Sequence, residues 1–174
     1  LTNLLSYYDD FQDILDQTRR WARERRFQTG IQLLRENISG ITASDLFTNL
    51  AVAIIKNILD ITYTKFKVEY GEIKDSEFAI LGLGTLGSNE MHFSSDLDLI
   101  FVYENNNNII ESNGKTKLPT SKYFARLSQQ FISAITSLTS EGKIYDIDMR
   151  LRPSGHSGPI ATSIDSFQEY HNQS

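Results

Sequence analysis

Two aspartates one residue apart stand in the run Asp96-Leu97-Asp98-Leu99-Ile100-Phe101-Val102-Tyr103. The run has strand character. Along a strand, residues two apart point the same way, so both carboxylates address one site while Leu97, Leu99 and Phe101 face the other side. Two carboxylates about 4 Å apart repel by roughly 4 kcal/mol at an effective dielectric of 20. A cation between them removes that repulsion, and oxygen-only ligands favour magnesium over zinc. Upstream, Phe78-Ala79-Ile80-Leu81 is an apolar run of strand length, halted by Gly82, Gly84 and Gly87, where the backbone must turn or approach a ligand closely. Ser88-Asn89-Glu90-Met91 is then expected to open a short helix whose free amides suit a phosphate. A phosphate cradle beside a two-carboxylate metal site is the equipment of nucleotidyl or phosphoryl transfer. The competing reading is an ordinary hairpin or βαβ unit whose aspartates are solvated or pair with arginine.

A second acidic alternation runs from Lys143 to Arg152 and reads as the last strand, with Asp146, Asp148 and Arg150 on one side and Ile147, Met149 and Leu151 on the other. Either Asp146 or Asp148 could bring a third carboxylate to Asp96 and Asp98 and complete a two-metal site. Arg150 and Arg152 precede Pro153-Ser154-Gly155-His156-Ser157-Gly158-Pro159; such guanidinium groups suit a triphosphate or departing pyrophosphate, or else brace the aspartates by ion pairing. His156, alone in a Ser/Gly loop, reads as exposed and lies outside the catalytic set.

Helices must position these strands. Residues from about Leu4 to Leu34 read as helical, with Leu4, Tyr8, Phe11, Leu15, Trp21 and Phe27 at mostly helical spacings. Arg19, Arg20, Arg23, Arg25 and Arg26 cluster there, either as a solvated face balanced by Asp9, Asp10, Asp13 and Asp16 or as a docking surface. Gly40 breaks the pattern, and Ser44 or Asp45 can cap a second long helix with the apolar stripe Leu46, Leu50, Ile54, Ile58 and Ile61, ending near Tyr70-Gly71. The polar stretch from Glu104 to Lys115 reads as a surface loop beside the site. Pro119 and Thr120 or Ser121 start a third helix, with Phe124, Leu127, Phe131, Ile135 and Leu138 on one face and Gly142 closing it. A helix joining two strands in this way is the crossover of an α/β unit, with antiparallel edges still possible.

The 174 residues amount to one domain, with a core of real size. Acidic residues outnumber basic ones, 22 to 17, for a net charge of −5, which argues against nucleic acid as the main partner. With no cysteine, no disulfide framework exists. No apolar run looks long enough to span a membrane, and the start does not resemble a signal peptide. A soluble, cytoplasmic enzyme domain is expected. A start at Leu1 without methionine and a polar end suggest a fragment of a longer protein.

Leu83-Gly84-Thr85, followed after a spacer by Asp96-Leu97-Asp98-Leu99, resembles the signature of the nucleotidyltransferase superfamily that includes DNA polymerase β. More narrowly, GLGTLGSNEMHFSSDLDLIF with YDIDMRLRPSGHSGPIATS resembles the bacterial glutamine synthetase adenylyltransferase family, and the likeness extends over most of the chain. TRRWARERRFQTGIQLLRENISG is similar to the stretch that precedes the family's transferase core, which favours packing of the arginine cluster on that core.

The resemblance implies a nucleotidyltransferase fold of α/β (α+β) class, a small mixed sheet flanked by helices. Residues 1–71 would be a helical segment packing on the core and 72–174 the catalytic core. It implies transfer of AMP from ATP to a tyrosine of glutamine synthetase, with Mg2+ held by Asp96, Asp98 and Asp148. Asp148 is selected because the second acidic position of the family run is an aspartate, which leaves Asp146 as a partner for an arginine. Gly84, Thr85, Gly87 and Ser88 would cradle the phosphates, aided by Arg150 and Arg152. The PII signalling protein is a further partner implied for the full-length enzyme. Family members carry two such domains, one attaching AMP and one removing it by phosphorolysis; Arg150 to Gly155 and Ser163 to Tyr170 look more like the attaching, C-terminal half. In the removing half Phe is expected where this chain has Ser154. The alternatives are that removing half, or a catalytically silent regulatory module. One departure is Thr85, where the family shows Lys in Gly-x-Gly-Lys-Leu-Gly; the change removes a cation near the phosphates but keeps the small hydroxyl of the wider superfamily.

Overall fold

The computed structural model describes residues 1–5, 8, 10–106, 109–153, 155 and 158–172, the side chains of residues 3, 4 and 171 excepted. Ser154 and His156 therefore lie outside the described residues. The first helical stretch is two helices. Asp10 accepts from the amides of Gln12 (2.8 Å) and Asp13 (3.1 Å), satisfying two first-turn donors and starting α2 (Phe11–Leu34) separately from the short α1 (Thr2–Leu5).

Ser39 caps α3 (Gly40–Tyr70) by accepting from the Thr42 amide at 3.1 Å. Gly40 is thus the first helical residue, not a break, and neither Ser44 nor Asp45 is the cap. The buried stripe of α3 includes Phe47, Leu50, Ala51, Ile54, Ile58 and Phe66, whereas the expected Leu46 is 42% exposed. Setting the start of the helix earlier does not move its face; Phe47 and Ala51 simply share the stripe that Leu50 and Ile54 define at spacings of three and four. Gly71, at φ +66°, closes the helix.

β1 (Ser76–Gly82) leads through the single turn α4 (Gly84–Gly87) to β2 (Leu97–Asn105), with which it pairs antiparallel from Ser76 opposite Asn105 to Gly82 opposite Leu99. α5 (Thr120–Thr136) is the crossover that returns the chain to β3 (Ile147–Asp148), parallel to the start of β2. β4 (Ala161–Ser163) then pairs parallel with β2 further along, and α6 (Ile164–Asn172) ends the described chain. β2 is therefore central, with β1 on one side and both β3 and β4 on the other. This is the α/β mixed sheet flanked by helices that the sequence implies. The expected strand from Lys143 to Arg152 shrinks to two residues, and it is not the last. Its reason is local: the Arg150 amide donates to Asp148 Oδ1 at 2.8 Å, and that side-chain turn competes with the ladder.

Leu97, Leu99 and Phe101 are at most 1% exposed, as the alternation requires. Phe124 of α5 stacks on both Phe78 and Tyr103, and Phe131 meets Phe101 edge-on. One apolar core joins these residues to Leu15 and Ala22 of α2 and to the stripe of α3. By length and composition α3 could cross a membrane, against the sequence expectation; in this fold its apolar stripe is core, packed between α2 and α5. Leu138, expected on the α5 face, lies past the helix end and is 79% exposed. The 104–115 loop is not beside Asp98. It leaves the opposite end of β2, about 20 Å away at strand rise, where Gly114 N–H donates to the Tyr70 carbonyl and Asn113 Oδ1 accepts from the Glu72 amide.

Candidate active site

Parallel pairing of β2 with β3 sets Leu97 opposite Ile147 and Asp98 opposite Asp148. Paired residues in a parallel ladder share a face on strands about 4.8 Å apart, so these two aspartates are neighbours. Asp96 stands exposed just before β2, two residues from Asp98. The ladder is extended by the Leu97 amide donating to the Asp146 carbonyl at 2.9 Å. The glycine turn lies on the same spot. Leu83 N–H donates to the Asp98 carbonyl at 2.9 Å, and a Cβ added at Gly84, whose φ is +52°, would overlap the Asp98 carboxylate. A Cβ at Gly87 would stand 2.8 Å from the Gly82 carbonyl oxygen. Both glycines are needed for close approach, the first to the site itself.

α4 begins earlier than the sequence suggests. Its first intrahelical bond runs from Gly87 N–H to Leu83 O, which leaves the amides of Gly84, Thr85 and Leu86 without acceptors within the turn. Ser88 is at its far end, and its hydroxyl donates to Glu90 Oε2 at 2.9 Å. Ser88-Asn89-Glu90-Met91 therefore follow the helix instead of opening it.

The Asp98 carboxyl is pushed above the usual carboxylate range, chiefly by burial, then by the charges of Asp148 and Asp96, with Arg150 opposing. Asp148 is held by Arg150, whose Nε donates to Oδ2 at 2.7 Å and which is itself raised by that bond. Arg150 is 71% exposed along its side chain, against 19% for Asp148. Arg152 braces the following turn, with Nη1 donating to the Met149 carbonyl at 3.0 Å. Asp146 points to solvent and pairs with Lys143, not with an arginine, because the lysine lies three residues away on the same side of the turn. Among the described residues, no three carboxylate or imidazole groups are gathered tightly enough to hold one ion as they stand. Chemically the donor set fits a hard cation: it is oxygen-only, it includes a half-buried carboxyl, and among the described residues Asp98 has no salt bridge.

All 174 residues match the family model described as glutamate-ammonia ligase adenylyltransferase. The chain belongs to the glutamate-ammonia ligase adenylyltransferase family. Among similar proteins named bifunctional glutamine synthetase adenylyltransferase/adenylyl-removing enzyme, the one from Rhodopseudomonas palustris (strain HaA2) is 42% identical over 98% of this chain and 17% of its own length. Those of Brucella melitensis biotype 1 and Agrobacterium fabrum are 41% and 40% identical, over 92% and 97% of this chain and 16% and 17% of their own lengths. The chain thus spans about a sixth of the relatives it matches.

Residues that position the site in this adenylyltransferase-family chain also come from outside the two acidic runs. Arg19, Arg20, Arg23 and Arg26 of α2 reach over the segment that leads into β3. Arg19 Nη2 donates to the Ser137 carbonyl (3.1 Å), Arg20 and Arg23 pair with Glu141 (2.7 and 3.2 Å), and Arg26 donates to the Ile144 carbonyl (2.6 Å). Arg26 also lies 3.8 Å over the Tyr145 ring. Arg19 and Arg26 pack inward, Arg20 and Arg23 reach Glu141 from exposed positions, and Arg25 stays on its own helix, with Nη1 donating to Gln28 Oε1 at 3.1 Å. The signal was present in the spacing, since 19, 23 and 26 fall on one helical face. No spacing announces a second brace, Asn89 Nδ2 donating to Asp45 Oδ1 of α3 at 2.5 Å from a residue at φ +61°.

Proposed function

We propose that this chain is a catalytic domain that transfers AMP from ATP to a tyrosine hydroxyl of glutamine synthetase, with pyrophosphate leaving. The observation that carries the reading is the register that sets Asp98 beside Asp148, with Asp96 two residues upstream and the Gly84 turn packed on Asp98. Asp96, Asp98 and Asp148 would hold Mg2+, which when bound neutralises phosphate charge and lowers the barrier to attack at phosphorus. Burial of Leu97 and Leu99 fixes the direction of Asp98, and the turn at Arg150 fixes Asp148. The amides of Gly84 and Thr85, the Thr85 hydroxyl, close packing at Gly87, and Arg150 with Arg152 offer donors and room for the triphosphate; the Ser88 hydroxyl would join them only by leaving Glu90. Catalysis rests on alignment and charge neutralisation, because such transfer asks little covalent help of the protein. Attachment is favoured over removal by the resemblance of the runs Arg150 to Gly155 and Ser163 to Tyr170 to the attaching half of the family.

Intact mass of glutamine synthetase subunits, incubated with this protein, magnesium and ATP, tests the proposal. A gain of one AMP per subunit, absent with Asp98→Asn, is the expected result. No gain, followed by loss of AMP from adenylylated substrate given phosphate, would assign the removing reaction; silence in both would sink the catalytic reading.

A further inference from the structure

A cleft of about 500 Å3 lies between α2, Phe93 and the segment that leads into β3. It carries two apolar rings that the fold does not cover: Phe27 is 63% and Phe93 58% exposed. Phe93 is nonetheless held in place. Its ring meets Phe47 of α3 edge-on, 6.3 Å between centroids, and a Cβ at Gly30 of α2 would stand 3.6 Å from it. Among the described residues the wall sets Arg19, Arg23, Arg26 and Lys143 against one carboxylate, Glu141, in a chain whose net charge is −5. Arg26 has no salt bridge among those residues, and the Arg23 and Lys143 side chains are 63% and 47% exposed. Fixed aromatic rings beside arginines are the residue types that anchor protein interfaces.

The cleft borders the carboxylate site. Phe93 stands three residues before Asp96, no more than about 11 Å along the chain, and residues 140–144 run directly towards the Asp146 carbonyl that accepts from the Leu97 amide. The glycine turn reaches Asp98 from the β1 side of β2, whereas this segment lies on the β3 side. We infer that the cleft is a docking surface for the acceptor protein, taking an apolar side chain and acidic residues from the surface around its target tyrosine. The inference rests on the transfer reading above. A stable interface covers about 800 Å2 of each partner, a patch roughly 30 Å across, so a protein whose tyrosine reaches Asp98 has the extent to cover Phe93 and Phe27 as well. Two features choose an acidic protein over other anions. Free phosphate has nothing to set against two exposed rings, and a nucleic acid backbone would run onto the exposed carboxylates of Asp96 and Asp146.

Binding of unmodified glutamine synthetase to the full protein chain, followed by biolayer interferometry without ATP, tests it. Phe27→Ser removes an exposed ring and Lys143→Gln an exposed charge, so both variants should melt as the native protein does. Phe27→Ser is expected to weaken binding about tenfold and Lys143→Gln about threefold. Added salt should weaken the native complex more than that of Lys143→Gln, and calorimetry should find the same ATP affinity in all three proteins. Four results would overturn the docking surface: no binding by the native chain, undiminished binding in either variant, a parallel loss of ATP affinity, or polyuridine binding that Phe27→Ser weakens equally. The transfer reading fails separately. Native protein that binds through Phe27 yet moves no AMP would leave the surface standing and sink the catalytic reading, whereas transfer by Phe27→Ser with an unaltered KM for glutamine synthetase would sink the surface alone.

Discussion

The chain contains two Asp-apolar-Asp runs that look alike as text, Asp96-Leu97-Asp98 and Asp146-Ile147-Asp148, and the fold treats them differently. The first opens a nine-residue strand whose alternate residues are sealed in the core, so that Asp98 is half-buried against Gly84. Among the described residues no salt bridge reaches it. The second contributes only two paired residues, Ile147 and Asp148, both partly buried, and each of its aspartates has a cation from its own neighbourhood, Lys143 or Arg150. Local placement separates them: Lys143 lies three residues before Asp146 and Arg150 two after Asp148, while the Gly84 turn takes the space beside the Asp98 carboxylate. The charge left over on Asp98 is what a metal would use.

The comparison is sharpest in the carboxylates themselves. Asp98→Asn should lower AMP transfer by roughly 10^3-fold, equivalent to about 4 kcal/mol of lost charge stabilisation, and Asp148→Asn should do the same. Asp146→Asn should stay within about threefold of native by the same rate assay, since its partner is Lys143 at the surface. Equal losses at 146 and 148 would erase the distinction. Next in size, Gly84→Ala forces a side chain into the Asp98 carboxylate at positive φ, and should destabilise by about 1–3 kcal/mol in thermal melts while suppressing transfer. An unchanged melting temperature would show the turn able to retreat from Asp98.

Thr85→Lys gives the first run a nearby lysine, as Lys143 serves the second. It should tighten ATP binding by about tenfold if the position meets phosphate, the worth of one charge-assisted hydrogen bond; calorimetry showing no gain would remove Thr85 from the cradle. The smallest effect concerns the platform of the second run. The Arg20 hydrogen bond holds the Glu141 carboxyl below its usual range, with Arg23 helping. A depressed folded-state value means that this stabilisation is full above the ordinary carboxylate range and is lost as pH falls through the lower folded value. The melting temperatures of native protein and Glu141→Gln should therefore differ near neutral pH and converge in acid; a gap that persists in acid would rule out the ion pair as its source.

Much of this was legible in the chain. The alternation around Asp98, the α5 face from Phe124 to Ile135 and the crossover between β2 and β3 follow from periods of 2 and 3.6 and from apolar content. The misplaced features have local physical causes. Helix starts moved because Asp10 and Ser39, not Ser44 or Asp45, capture the free amides. The strand at 143–152 failed because the Asp148 side chain takes the Arg150 amide. The 104–115 loop lies away from the site because Asp98 sits at the start of β2 and the loop leaves its other end, about 20 Å off at strand rise.

The sequence alone determined the chemistry on offer: acidic pairs at strand spacing, glycines where a turn must pass close by, and motifs long enough to show the family. Tertiary structure decided which carboxylates meet. The pairing of Asp98 with Asp148, the seat of Gly84 on Asp98, and the reach of the α2 arginines to Glu141 and Ile144 join residues that no local period relates. Local periodicity says which way a side chain faces; only the packing of β2 against β3 and of α2 on the core says what it faces.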